Sequence, residues 1–180
     1  ASSDKVGARV AGLRLLEPAG LPDREERLVA AFSDTAPVVA RTAAMLLAFT
    51  LLDDAALARI NALAREGEAR ERAFATLALA DATRSRGTNA FEAHTVGELI
   101  GRRGLLHPDK VIRVASAIGL AHGALDTQDP TISQLLDGTV IDVLVDAVGG
   151  DHYREFEVMT ESVFGALRRL SGQDFPSTAV

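Results

Sequence analysis

The apolar residues of this chain recur with the spacing of buried helix faces. Apolar side chains at positions i, i+3 and i+4 lie on one side of an α-helix, so this spacing predicts amphipathic helices. Four stretches show it, with these apolar positions: Leu28, Val29 and Phe32; Leu57, Ile60 and Ala64; Val96, Leu99 and Ile100; Val140, Leu144 and Val148. We therefore predict one helix in each stretch.

Residues 139–148 are the one stretch that could also be a strand, because they are rich in β-branched side chains. Asp142 and Asp146 are four residues apart, and this spacing places both on one exposed face of a helix. The helix is therefore the better prediction here too.

A second kind of segment occurs five times along the chain. Each copy begins with polar residues, places an Arg, and continues with Ala and larger apolar residues. The copies cover residues 4–16, 36–49, 68–81, 107–121 and, more loosely, 151–164. We call these segments the first helices and the four stretches between them the second helices, so the chain is predicted to consist of helix pairs.

The repeat lengthens in the middle of the chain. Arg9, Arg41, Arg72 and Arg113 are separated by 32, 31 and 41 residues. Two insertions account for the change, at 84–93 and 123–134. Insertions in helical repeats become surface loops, where binding often diversifies, although loops also lengthen by drift at little cost. The sequence leaves these two interpretations open.

The fourth first helix carries a family resemblance. In residues 107–121, Ile112–Arg113, Ala115, Ala117, Ile118 and Gly119 resemble the Val-Arg pair, the alternating Ala and Leu, and the final Gly of HEAT-like repeats, with His107 in place of the usual Asp. Residues 36–49 are a looser match. The resemblance implies an all-α fold, a right-handed α-solenoid of about four to five helix pairs over residues 1–172, with 173–180 as a flexible tail. In that family the usual role is a scaffold or adaptor.

Composition agrees with closely packed helices and removes several chemistries. Aromatic residues make up 4% of the chain, and it contains no Trp and no Cys. Without Cys there is no disulfide, thiolate zinc site or cysteine nucleophile. The sequence has no run of 18 apolar residues, and we expect a cytoplasmic protein that does not span a membrane.

Charge is distributed unevenly. Residues 1–90 carry 12 Lys and Arg against 12 Asp and Glu, whereas residues 91–180 carry 7 against 13, which gives the chain its net charge of −6. Affinity for nucleic acid depends mainly on neutralising phosphates. An acidic second half therefore makes a nucleic-acid partner an unfavourable expectation.

No catalytic, metal-binding or cofactor-binding pattern stands out. His94, His107, His122 and His152 all fall at predicted helix boundaries, and no two have a recognised ligand spacing, so we expect capping or solvent-facing roles. A capping box from Thr95 to Glu98 would place His94 just before a helix. We predict neither enzyme activity nor a cofactor.

The recurrent Arg of the first helices has two interpretations. A structural Arg would bind loop carbonyls or a carboxylate of the adjacent repeat, whereas a functional series would contact an acidic partner. We favour the structural interpretation.

The second helices supply the predicted binding surface. Counting along the repeat places charged or polar side chains at equivalent exposed positions, and the series runs from basic to acidic. The predicted partner-binding residues are Arg27, Arg59, Asn61, Glu98, Arg102, Arg103, Asp142 and Asp146.

The sequence leaves three classes of function open. The first expectation is a module that binds a protein or peptide on its concave face. The alternatives are an enzyme on a HEAT-like fold, related to chromophore lyases or DNA glycosylases, and a structural segment of a larger regulatory protein. The first helix is a weak solenoid cap, which favours self-association through that end.

Overall fold

The computed structural model of the chain describes residues 3–19, 23–49, 54–124, 129–149 and 157–172. Within these ranges every regular element is helical, and the all-α class predicted from the sequence is confirmed. The helices are α1 (Ser3–Ala19), α2 (Arg24–Ala30), α3 (Pro37–Ala48), α4 (Asp54–Glu66), α5 (Ala69–Arg86), α6 (Ala93–Ile100), α7 (Lys110–Gly123), α8 (Pro130–Leu135), α9 (Ile141–Val148) and α10 (Thr160–Ser171). Short 3₁₀ segments cover Ala31–Ser33 and Glu157–Met159, and a π-helical segment, Leu136–Val140, joins α8 to α9.

The helices contact one another in two rows. We call α1, α3, α5, α7 and α10 the first row, because each contacts the next in chain order. We call α2, α4, α6 and α9 the second row; they pack on α3, α5, α7 and α10, respectively. Each second-row helix therefore packs on the first-row helix that follows it. The first row contains the predicted first helices, and the second row contains the predicted second helices.

The middle of the core is α5. Every residue from Ala73 to Thr83 is buried, and α3, α4 and α7 surround the helix. A helix that is apolar on all sides has to be buried on all sides. The Ala-rich sequence of this stretch therefore sets the position of α5 as well as its conformation.

Gly119 lets α7 approach its neighbours closely. A Cβ atom built at this position would lie 2.5 Å from Cγ2 of Thr76 and 2.9 Å from Cδ1 of Leu99. Those side chains belong to α5 and α6, so an alanine would force at least one of them to shift in a closely packed core. Gly119 therefore contributes to the close packing of α7 against α5 and α6.

At the other end of the core, α1 is only partly covered. None of its described side chains is fully buried, and Leu15 is 65% exposed although the helix is rich in apolar residues. Its neighbours are α3 and, over a smaller area, α2.

The last helix departs from contacts between adjacent pairs. α10 packs on α7 and α9, and Ser162 in its first turn also reaches Arg41 of α3, 121 residues earlier in the chain. The 3₁₀ segment before α10 contacts α3 as well. α10 therefore packs on α7 and α9 and reaches α3 through a hydrogen bond.

Several sequence expectations fall partly or wholly outside the described residues. The start of the fifth repeat segment, His152 and the tail 173–180 lie outside them, as do residues 125–128 of the second predicted insertion. Of the first insertion, residues 84–86 are the last turn of α5, and the connection to α6 begins at Gly87.

Candidate partner-binding surface

An ion pair links α2 and α4, the first two helices of the second row. Nε and Nη2 of Arg59 donate to Oε1 and Oε2 of Glu25 at 2.9 and 2.8 Å. A shallow groove beside the pair is lined by Val29, Ile60 and Leu63. A bidentate guanidinium–carboxylate contact fixes geometry as well as charge, so Arg59 is exposed but already neutralised.

Arg27 is neutralised within its own helix. Its Nε lies 2.7 Å from Oδ2 of Asp23, one turn earlier, and both side chains are exposed. The two arginines predicted as the basic end of the surface are therefore both paired inside the molecule. The prediction that they lie at exposed positions is confirmed, but they provide little unpaired positive charge.

Asn61 is not on the surface, contrary to the prediction. Its residue is 1% exposed, and its amide nitrogen donates to the carbonyls of Leu57 and Ala90 at 3.0 and 2.9 Å. Its Oδ1 accepts from the Glu92 amide at 2.9 Å and from Oγ1 of Thr95 at 2.7 Å. Two donors and two acceptor sites are the full capacity of the side chain. Asn61 is thus a structural tie between α4 and the segment that enters α6.

The same network overturns the predicted capping box. Thr95 is buried and bonded to Asn61, and α6 already begins at Ala93, so Thr95 does not cap a helix. At the edge of the network, Nη1 of Arg65 donates to Oε2 of Glu92 at 2.6 Å. The part of the second row that follows Arg59 is therefore engaged in contacts within the molecule.

The charged residues around the end of α6 are only loosely paired. Nη1 of Arg103 lies 4.0 Å from Oε2 of Glu98, and about half of each side chain is exposed. Arg102 is exposed and forms no ion pair within the described part of the chain. These three residues occupy the surface positions that the sequence predicted.

The acidic end of the surface is on α9. Asp142 and Asp146 are exposed as predicted, and Val145 between them is 52% exposed. No cation of the described residues pairs with either carboxylate. Residues 123–151 contain six Asp and no Lys, Arg or His. The second row thus runs from internally neutralised pairs on α2 and α4 to uncompensated carboxylates on α9.

The recurrent arginines of the first row make structural contacts. Nε of Arg9 lies 2.8 Å from Oδ2 of Asp34. Nη1 of Arg72 donates to the Gly67 carbonyl at 2.9 Å, and Nη1 of Arg113 donates to the His107 carbonyl at 2.8 Å. These are the loop carbonyls and neighbouring carboxylates expected of the structural interpretation.

The Asp34 carboxylate gains two favourable partners from these contacts. Burial alone would raise its pKa, but the hydrogen bond from the Ala36 amide and the Arg9 guanidinium together hold the pKa of Asp34 below its usual value. The interaction of Arg9 with Asp34 therefore links α1 to the loop that precedes α3.

A buried polar cluster beneath α10 was not predicted. Nη1 of Arg41 lies 2.6 Å from Oδ2 of Asp81, and both side chains are largely buried. Nη2 of Arg41 donates to Oγ of Ser162 on α10 at 2.7 Å. Nη2 of Arg84 donates to the other oxygen of Asp81 at 3.1 Å. One carboxylate on α5 therefore neutralises two guanidinium groups.

His122 completes the cluster from α7. It is 6% exposed and lies within α7, so the predicted solvent-facing position after a helix is wrong. Burial, together with the nearby Arg169 and Arg84, lowers its pKa to about 4 against the opposing effect of Asp81. The other two described histidines match the prediction better: His94 is exposed in the first turn of α6, and Nδ1 of His107 accepts from the Asp109 amide at 3.0 Å.

Sequence spacing could not reveal this cluster, because its members come from four helices. The one available signal was the position of His122 in the apolar sequence of its helix, three residues after Gly119. A polar residue within a buried helix face requires a partner or a neutral state.

In the part of the chain that the structure describes, no group of three His, Asp or Glu side chains could hold a metal ion. The same ranges contain no helix long and apolar enough to cross a bilayer. No family model, curated protein or solved structure matches this chain.

Proposed function

We propose that this chain is a protein-binding module, an adaptor or scaffold, whose second row holds a protein or peptide. We further propose that the two rows form a right-handed α-solenoid of four to five HEAT-like helix pairs. The order of contacts along the first row supports this arrangement, as does the packing of each second-row helix on the next first-row helix. The cytoplasmic location expected from the sequence stays a prediction.

The observation that carries the function is the contrast in charge pairing along the second row. Arg27 and Arg59 are bound by carboxylates of the same chain, whereas Asp142 and Asp146 have no cationic partner among the described residues. Exposed charges without internal partners are available for an intermolecular contact, and they steer association with groups of opposite sign. The partner segment that meets α9 is therefore basic.

Arg102 and the exposed Val145 refine this proposal. An exposed apolar side chain flanked by two carboxylates offers both contact area and charge to a segment that carries apolar and basic residues. Arg102 adds one unpaired positive charge near the end of α6. If the bound segment has an acidic residue, that residue lies at the end of the segment that meets α6.

The test combines affinity capture with matched charge reversals. Tagged wild-type protein, D146K, R102E and the control E66K are incubated with native extract at low salt, and bound proteins are quantified by mass spectrometry. Glu66 is exposed on α4, remote in sequence from α9, so E66K matches the charge change of D146K. A partner retained by the wild type and E66K but lost from D146K, and cross-linked to α9, supports the proposal. Equal capture by all four proteins contradicts it.

A further inference from the structure

We propose that α10 is an acid-releasable strap that is docked on α3 and α7 by part-buried polar contacts and is detached when His122 is protonated. This inference adds a conformational switch to the chain and does not depend on the proposed binding function. The argument starts from the way in which α10 is attached.

The docking contacts of α10 are polar at both ends of the helix. Near its start, Oγ of Ser162 accepts from Arg41 of α3 at 2.7 Å. Near its end, Nε of Arg169 donates to the Ala121 carbonyl of α7 at 3.2 Å. Polar contacts can be exchanged for water when a helix leaves, so undocking costs less than it would for an interface of the same area made only of apolar groups.

Val163 and Ala166 of α10 are completely buried, so the helix is docked by apolar packing as well. Residues in the middle of the helix are more open: Phe164, Gly165 and Leu167 are only half-buried. A 12-residue helix with a narrow apolar stripe has a small area to expose on release. α10 is therefore a candidate for opening before the rest of the molecule.

His122 is the group that makes this opening depend on pH. Its Nδ1 is buried, and no described residue forms a hydrogen bond with it. The charged groups that act on it are Asp81 and Arg84 from α5 and Arg169 from α10, and Arg41 of α3 shares the Asp81 carboxylate. α6 and α9 also pack on α7 but contribute no charge that acts on His122 among the described residues.

Protonation would place an imidazolium beside the guanidinium groups of Arg169 and Arg84, whose combined effect on His122 opposes that of the Asp81 carboxylate. The docked state holds the pKa of His122 at about 4, below the ordinary value of 6.5. Release of α10 would remove Arg169 and admit water, and the released histidine is taken to have the ordinary pKa. Between those values the undocked state binds more protons, so acid favours it. Lowering the pH from 7.5 to 5 multiplies the undocking constant by about 30.

Native-state hydrogen exchange tests this inference in the intact chain. Exchange of α10 and α5 amides is followed by mass spectrometry at pH 7.5 and 5 in low concentrations of urea, and the rates are corrected for intrinsic exchange. The expected result has two parts. Amides of α10 open with a shallower urea dependence than those of α5, and their opening constant is about 30-fold larger at pH 5.

The matched variants are H122Q, which removes the titrating group, and H94Q, which removes an exposed histidine. The increase for α10 should disappear in H122Q and persist in H94Q. If H122Q does not fold, R84Q replaces it: removing one neighbouring cation should reduce the pH response while His122 remains. The inference is overturned if α10 and α5 open with the same urea dependence, or if the pH response of α10 survives in H122Q or is unchanged in R84Q.

Discussion

The two buried polar clusters of this protein stabilise polar groups away from water in different ways. Around Asn61, a neutral amide uses all its donors and acceptors on backbone groups and one hydroxyl. Around Asp81, one carboxylate serves two arginines, and a buried nitrogen of the neighbouring His122 has no hydrogen bond with any residue that the structure describes. The neutral network around Asn61 stabilises its helices independently of pH. The charged cluster around Asp81 does so only while its groups keep their protonation states.

The location of each cluster fits this difference. The Asn61 network joins α4 to the start of α6, two successive helices of the second row, where a fixed spacing is needed. The Asp81 cluster lies beside α10, the last helix of the first row. A polar network in which every donor and acceptor is bonded specifies one packing of its helices. A charged cluster with an unbonded member is sensitive to pH.

The largest expected effect comes from removing the shared carboxylate. D81N leaves the buried Arg41 without a counter-charge and should lower the free energy of unfolding by about 3–5 kcal/mol. Urea denaturation monitored by circular dichroism measures this. The control is D23N, which breaks the exposed pair with Arg27 and should cost less than about 1 kcal/mol. Similar losses in the two variants would show that burial of the Asp81 cluster has no energetic consequence.

The next effect tests the Asn61 network. N61A leaves the Ala90 carbonyl and the Glu92 amide without partners in a buried site, and the expected cost is about 3 kcal/mol. This loss should be the same at pH 7 and pH 5, because none of the groups that bond Asn61 titrates in that range. Q134A, which changes an exposed side chain, serves as the control. A loss that varied with pH would remove the distinction between the two clusters.

The third effect is the pH dependence contributed by His122. Its pKa is lower in the folded state than in the unfolded state, so the folded protein binds fewer protons below pH 6.5, and stability falls as the pH decreases toward 4. From pH 7 to 5 the wild type should lose about 2 kcal/mol more than H122Q. Parallel stability curves for the two proteins between pH 7 and 4 would contradict this assignment.

The smallest effect is expected from the exposed pair between Arg59 and Glu25. A double-mutant cycle with R59Q and E25Q should give a coupling of about 0.5–1 kcal/mol, because both side chains remain accessible to water. The coupling should decrease in high salt. A value near that of the Asp81 cluster, insensitive to salt, would mean that exposure does not separate the two kinds of ion pair.

Local pattern in the sequence predicted the helices well. The apolar spacing located α2, α4, α6 and α9, and the charge spacing of Asp142 and Asp146 correctly decided between helix and strand for α9. The structural role of the recurrent arginines was also anticipated, because a long side chain with several donors reaches the carbonyls and carboxylates of neighbouring segments.

Predictions about single polar residues were less successful. Repeat counting placed Asn61 on the surface, and helix boundaries placed His122 there too, yet both are buried. Burial of a polar side chain depends on which other helices supply partners or exclude water, and those helices are 29 or more residues away in the chain. No local pattern carries that information.

The sequence by itself determined the all-α class, the positions of most helices and the surplus of negative charge in the second half, since periodicity and composition act within each helix. Only the tertiary structure decided which charges are free. Packing paired Arg27 and Arg59 inside the molecule and left the α9 carboxylates exposed. It also brought Arg41, Asp81, His122 and Ser162 together from four helices, because contacts between distant segments form only when the helices pack.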